Sequence, residues 1–169
     1  MRDFGIVFIA LFIIVTLDAL LLMLAGLFPR TTDSTREIAE QTPGRSFLLG
    51  FVNIVFLGAV TVASVALAEN LKVNLLIVPG VIALILAAIT SAFGLAGVTV
   101  LIGERLFPDH GRAGRNLRGG AALILGSLTP YVGWFGLFPY VVMLGTGALI
   151  ISLFQRLQSP GAEKSKKKM

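Results

Sequence analysis

The feature that most constrains this chain is an uncharged run of 36 residues from Gly119 to Phe154. As one helix the run would be about 54 Å long at ~1.5 Å per residue, whereas the hydrocarbon core of a bilayer is ~30 Å thick. It must therefore break, and the place is marked by Pro130, Gly133, Gly136 and Pro139. We predict a helix on each side of this break, at about residues 116–130 and 137–155.

Aromatic residues fix the depth of the break. Trp134 is the only tryptophan in the chain, and Tyr131 and Tyr140 are the only tyrosines. Because these side chains favour the headgroup level, we expect the connector at a membrane interface and a crossing on each side of it. Residues 116–130 would span only ~22 Å, so a re-entrant helix is the alternative for that segment.

The composition extends the membrane interpretation to the whole chain. It is 56% hydrophobic and 14% charged, whereas soluble domains are about a quarter charged. Three earlier apolar runs predict spans at about residues 4–28, 47–68 and 75–103. We therefore predict an all-α, polytopic transmembrane helical bundle of four full spans plus one short span or re-entrant helix. It would form a single domain over residues 1–158, followed by a basic, disordered tail at 159–169.

The distribution of Lys and Arg favours five segments. Five segments place twelve basic residues on one side and only Arg2 and Lys72 on the other, whereas four spans would divide them evenly. Basic residues accumulate on the cytoplasmic side, so we expect the N-terminus outside and the C-terminus in the cytoplasm, in the inner membrane of a bacterium. The tail lysines would bind anionic lipid: Lys164, Lys166, Lys167 and Lys168. No aromatic platform accompanies the basic residues, so we predict no nucleic-acid partner.

The polar segment between the first two spans predicts a short surface helix. Ser34 and Glu37 have the spacing of a capping box, and Arg36 and Glu40 are four residues apart.

Two polar residues lie inside predicted spans. Asp18 is the one acid well inside a span, and an intramembrane carboxylate is by default a hypothesis for a functional site. Asn53, in the next span, would lie at nearly the same depth, so the two could form a hydrogen-bonded pair. The pair either fixes the register of two helices or belongs to a proton or cation relay.

Recognisable catalytic or metal-binding motifs are absent from the sequence. There is no cysteine, no HExxH motif and no phosphate-binding glycine loop. His110 lies in the loop PDHGR, where we expect a solvated turn. We predict no enzyme activity, no metal and no cofactor.

Small residues recur every fourth position in the second and third spans, a pattern that lets membrane helices approach closely. The predicted packing residues are Ala59, Ala63, Ala83, Ala87, Ser91, Gly94 and Gly97. They would pack within the bundle or against a partner.

Several motifs together resemble the membrane-embedded region of bactofilin-like, polymer-forming cytoskeletal proteins of bacteria. They are LFPRTTDSTREIAEQTPGRSFLLG, IVPG, GERLF, TPYVGW and GTGA, between about residues 24 and 154. The resemblance concerns the membrane part alone, without the β-helical domain that it typically follows, and it implies no catalytic residues.

The function predicted from the sequence is that of a non-enzymatic anchor, scaffold or accessory subunit of a membrane assembly. Its partners would be anionic lipid and another membrane protein, or a second copy of the chain. The alternative is a small transporter or channel that uses Asp18.

Overall fold

The structure is a computed structural model that describes residues 2–127, 129 and 131–158. Within these residues every regular element is helical. The helices are α1 (Arg2–Leu27), α2 (Pro29–Gln41), α3 (Pro43–Leu71), α4 (Ile77–Leu106), α5 (Arg112–Ser127) and α6 (Phe138–Gln158). A 3-10 turn, Asn74–Leu76, precedes α4, and a π-helical segment, Val132–Leu137, leads into α6. The predicted tail at 159–169 lies outside the described residues.

The all-helical class is confirmed, and three helical stretches are long and apolar enough to cross a membrane: Pro43–Leu71, Asn74–Leu106 and Val132–Gln158. A fourth candidate combines Val15–Leu27 with Pro29–Gln41, which are bent by 103° relative to each other. The α5 helix has 16 residues, about 24 Å. Three to four spanning helices are thus supported by length and composition.

Two prolines divide the first part of the chain into α1, α2 and α3. Phe28 and Thr42 have non-helical backbone angles, and Pro29 and Pro43 are the first residues of the helices that follow. Proline is favoured there because its fixed φ suits a helix and its missing N–H needs no partner. The predicted capping box is therefore wrong: α2 begins five residues before Ser34, whose hydroxyl donates within the helix to the Arg30 carbonyl at 2.8 Å.

The central helix of the bundle is α4, which packs against α1, α2, α3, α5 and α6. Seven consecutive residues of α4, 94–100, are buried. Since seven residues make about two full turns, α4 is enclosed on all sides at this level. The apolar core around it includes Leu21, Ile38, Leu95, Val98, Leu123, Val141 and Leu144.

The end of α4, the start of α5 and the end of α6 meet at one end of the bundle, and α2 joins them. Arg112 at the start of α5 pairs with Asp33 of α2 at 2.9 Å. Arg156 near the end of α6 donates to Ser34 of α2 at 2.8 Å. The chain therefore leaves this end along α5 and returns to it along α6, so the 36-residue run is folded back on itself.

Candidate functional site: a glycine-packed base beside a bare hairpin

The bundle has two regions that differ in packing. The outer hairpin is defined as residues 57–90, which are the second half of α3, the turn and the first half of α4. The packed base is defined as α2, α5 and α6 together with residues 43–56 of α3 and 91–106 of α4. The apolar helices α3 and α4 run through both regions, so the difference between their two halves comes from which helices lie beside them.

Glycine contacts hold the packed base together. A Cβ added at Gly94 would overlap the backbone of Gly145, and one added at Gly147 would overlap the backbone of Ser46 and Gly50. These contacts join α6 to α4 and to α3 with backbone against backbone. In lipid, where apolar side chains gain little from leaving the solvent, such close van der Waals contact is a main source of helix association.

Close contacts at glycines also join α2 and α5 to α4. At Gly97 an added Cβ would lie 2.7 Å from Thr35 Cγ2 of α2. Gly103 and Gly119 meet across the α4–α5 contact, where either Cβ would overlap backbone of the other helix. Each position thus needs glycine because a neighbouring helix occupies the space of the side chain.

The α2 helix docks through one face and forms ion pairs through the next. Its buried face is Thr32, Thr35, Ile38 and Ala39. Both threonines are fully buried, and their hydroxyls are satisfied by carbonyls of the preceding turn, such as Thr35 Oγ1 to Thr31 O at 2.9 Å. The sequence analysis expected only a surface helix, although the spacing 32, 35, 38, 39 is that of one helical face and could have revealed it.

Ion pairs from α2 to the end of α4 and the start of α5 form what we call the polar cap. Its residues are Asp33, Arg36, Glu40, Glu104, Arg105, Arg112 and Arg115. Glu104 accepts from Arg36 and lies 4.0 Å from Arg115, and all three side chains are less than a third exposed. The Arg105–Glu40 pair, at 3.1 Å, is more exposed. The cap therefore contains one half-buried triad and two exposed pairs.

The outer hairpin is packed only along its own seam. Its four buried residues are all small: Ser64, Ala68, Gly80 and Ala83. Thr61 Oγ1 donates to Leu57 O at 2.9 Å and to Gly80 O at 3.3 Å across the seam. The most apolar 18-residue windows of α3 and α4 are each only 11% buried, against 44% for the α6 stretch. The outer hairpin thus exposes most of its apolar surface.

The predicted packing residues fall into both regions. Gly94 and Gly97 are buried in the packed base, and Ala83 lies in the hairpin seam. Ser91 Oγ lies 3.5 Å from Thr146 Oγ1 of α6, and Ala87 is half-buried. Ala59 and Ala63 are exposed. Both are two residues away from seam positions, about 200° around the helix, so they lie on the face of α3 that points away from α4.

Asp18 and Asn53 lie on α1 and α3. Asp18 lies where α1 meets α4 and α5, against Gly120 and close to Thr99. Within the described part of the chain, Thr99 Oγ1 is buried without a hydrogen-bond partner. Asn53, on α3, has a buried Oδ1 that also has no partner among the described residues. The structure therefore packs Asp18 against α5, which the sequence analysis did not anticipate.

The predicted interfacial aromatics lie between α5 and α6 and at the start of α6, at the end of the packed base away from the polar cap. Tyr131 is 82% exposed, Trp134 is 68% exposed and Tyr140 is 45% exposed. Tyr131 has a φ of 66°, which is uncommon for a non-glycine residue, and it immediately precedes the π-helical segment. Tyr140 stacks on Phe47 of α3 at 5.4 Å between ring centroids. The tail lysines, from Lys164 to Lys168, lie outside the described residues.

Metal-ligating side chains are scattered: in the described part of the chain, no group of three or more His, Cys, Asp or Glu residues lies close enough to hold a metal ion.

Comparison with known proteins gives no relative: no family model, no curated protein and no solved structure matches this chain.

Proposed function

We propose that this protein is a non-enzymatic integral membrane subunit, an anchor or scaffold, whose outer hairpin packs against another membrane protein. The observation that carries the proposal is the contrast in burial between the outer hairpin and the packed base. A helix pair that is buried along a single seam leaves most of its surface to lipid or to a neighbouring helix. The packed base fixes the position from which the hairpin extends.

Small residues on the exposed face of α3 favour a protein neighbour there. Gly58, Ala59 and Ala63 are exposed, and a Cβ added at Gly58 meets nothing within 4 Å. Small side chains let a second helix approach closely, which in lipid is what makes helices associate. We propose another membrane protein as the occupant, and a second copy of the chain is a distinguishable outcome of the experiment below.

We further propose five membrane segments, with the N-terminus outside and the C-terminus in the cytoplasm of a bacterial inner membrane. The division of basic residues, twelve against two, supports it. The meeting of α2, α4, α5 and α6 at one polar end also supports it, because an out-and-back path through α5 and α6 agrees with five segments. The resemblance to the membrane region of bactofilin-like proteins is part of this proposal and rests on the sequence motifs alone.

The test is a pull-down of the tagged protein from its native membrane, cross-linked and solubilised in mild detergent, with identification by mass spectrometry. We expect a stoichiometric membrane partner. The double variant Ala59→Leu with Ala63→Leu should lose this partner, since each leucine fills the space that a neighbouring helix would use. The control is Ala88→Leu, which makes the same kind of substitution once, at an exposed position of α4.

If the wild-type protein is always recovered alone and monomeric, the accessory-subunit proposal is wrong. Equal loss of the partner in the double variant and in Ala88→Leu would place the contact elsewhere. Recovery of two differently tagged copies together would assign the surface to self-association.

A further inference from the structure

Arg118 on α5 differs from the arginines of the polar cap in what surrounds it. The four arginines of the cap each lie within 4.0 Å of a carboxylate oxygen. Among the described residues, Arg118 has no carboxylate within that distance. Its charge is therefore not neutralised by the protein, although it belongs to the same basic end of the bundle.

Two side chains of the α4–α5 loop hold the Arg118 guanidinium in place. Its central carbon lies 5.7 Å from the centroid of the Phe107 ring, a cation–π distance. One terminal nitrogen, Nη1, contacts His110 Nε2, and the His110 ring meets Phe107 edge-on at 6.3 Å. Guanidinium has five N–H donors and no acceptor, so the donors not used by His110 are available to an anion. A phosphate group suits this planar donor set.

The exposed face of α5 continues from Arg118 with apolar residues. Leu117, next to Arg118, is 49% exposed, and Leu125, two turns and about 10 Å beyond Arg118 along the helix, is 64% exposed. Ala121 and Ala122 lie between them, half-buried, and form a shallow part of the surface. A free phosphate would use only the arginine, whereas a phospholipid would use both the arginine and the apolar strip below it.

We propose that Arg118, positioned by Phe107 and His110, binds the phosphate of an anionic phospholipid, with an acyl chain lying along α5 towards Leu125. This inference rests on the proposed membrane placement and adds a defined lipid site to it. The sequence analysis treated Arg118 as one of many basic residues and His110 as a solvated turn, because neither pattern alone reveals that the two side chains meet.

The experiment titrates the purified protein in mild detergent with dioleoylphosphatidylglycerol or with zwitterionic dioleoylphosphatidylcholine and counts bound lipids by native mass spectrometry. We expect phosphatidylglycerol to bind preferentially. Arg118→Gln should weaken that binding about five-fold, the equivalent of the roughly 1 kcal/mol expected per basic residue near a charged lipid. The matched control is Arg105→Gln, which removes the same charge from an exposed arginine paired with Glu40 and should change binding less than two-fold.

A second variant, Phe107→Leu, keeps every charge and removes only the ring that positions the guanidinium. A loss of phosphatidylglycerol binding that lies between those of Arg118→Gln and Arg105→Gln would support a site in which the ring positions the guanidinium for the lipid. Equal losses in Arg118→Gln and Arg105→Gln would reduce the effect to diffuse attraction and overturn the proposal. Displacement of the lipid by millimolar inorganic phosphate alone would identify a free-anion site and overturn the lipid assignment.

The pull-down separates this inference from the proposed function. A protein that captures its membrane partner but shows no preference for phosphatidylglycerol would refute the lipid site alone. A protein with the preference and no partner would refute the accessory role alone.

Discussion

The packed base and the outer hairpin share the apolar helices α3 and α4 but are held together in different ways. In the base, glycines bring backbones of α3, α4 and α6 into direct contact, and α2 closes one end with ion pairs. In the hairpin, two helices share a single seam of small residues and expose the rest. The comparison teaches that burial in this chain depends on how many helices meet at a level and not on how apolar each helix is.

The largest expected effect on stability is that of adding one methyl group to a glycine of the packed base. Gly94→Ala places a Cβ into the backbone of Gly145, so α4 and α6 must separate, and we expect a loss of about 1–3 kcal/mol or more. Gly58→Ala is the matched control, because nothing lies within 4 Å of its added Cβ. It should be neutral or stabilise by up to about 1 kcal/mol, since alanine favours a helix.

The readout for this pair is the melting temperature of each variant in mild detergent. Similar melting temperatures for Gly94→Ala and Gly58→Ala would contradict the difference in packing between the two regions, since the base would then be no more tightly packed than the hairpin.

The second-largest expected loss of stability comes from removing a carboxylate of the polar cap. Glu104→Gln removes the carboxylate that lies between Arg36 and Arg115, whose side chains are less than a third exposed. We expect a loss of about 1–2 kcal/mol, because two partly buried positive charges remain without a partner. Glu40→Gln, in the exposed pair with Arg105, should cost less than ~0.5 kcal/mol.

Thermal unfolding at low and high salt measures this difference, and added salt should reduce the contribution of the exposed pair more. If Glu40→Gln destabilised the protein as much as Glu104→Gln, α2 would be held by general charge attraction and not by the triad.

A smaller effect is expected in the hairpin seam. A Cβ at Gly80 would lie 2.9 Å from Ser64 Cβ and 3.2 Å from the Thr61 carbonyl oxygen, which is tight but less severe than the overlap with backbone at Gly94. Gly80→Ala should therefore cost about 1 kcal/mol, less than Gly94→Ala, because the two hairpin helices need to separate by a smaller distance. Protease accessibility of the turn between α3 and α4 reports this local loosening. An effect larger than that of Gly94→Ala would mean that the seam, and not the base, limits stability.

The smallest effect is expected for Asp18→Asn. The substitution keeps the shape of the side chain beside Gly120, so we expect a change within about 1 kcal/mol and unchanged assembly. Thr99→Val is the companion variant, because it removes a buried hydroxyl that has no partner and should be neutral or stabilising. A proton or cation flux in liposomes that the wild type carries and Asp18→Asn loses would instead assign the transporter function.

Local sequence features predicted the helices well. The predicted spans 47–68 and 75–103 lie inside the observed stretches Pro43–Leu71 and Asn74–Leu106, because hydropathy acts residue by residue along one helix. The break near Pro130 and Gly133 was predictable for the same reason: the uncharged run is longer than a bilayer is thick. The buried face of α2 was visible in its residue spacing, but its partners could not be predicted, because its ion pairs join residues 65 to 79 positions apart.

Long uncharged runs are enough to make this chain helical and suited to a membrane, because they have few other ways to satisfy their backbone in lipid. Pro29, Pro43 and the proline and glycine cluster after α5 set where helices end. Only the tertiary structure decided that Gly94 meets another backbone while Gly58 meets nothing, and that Asp18 packs against α5. The physical reason is that small residues look alike in sequence, and their role depends on which distant helix arrives beside them.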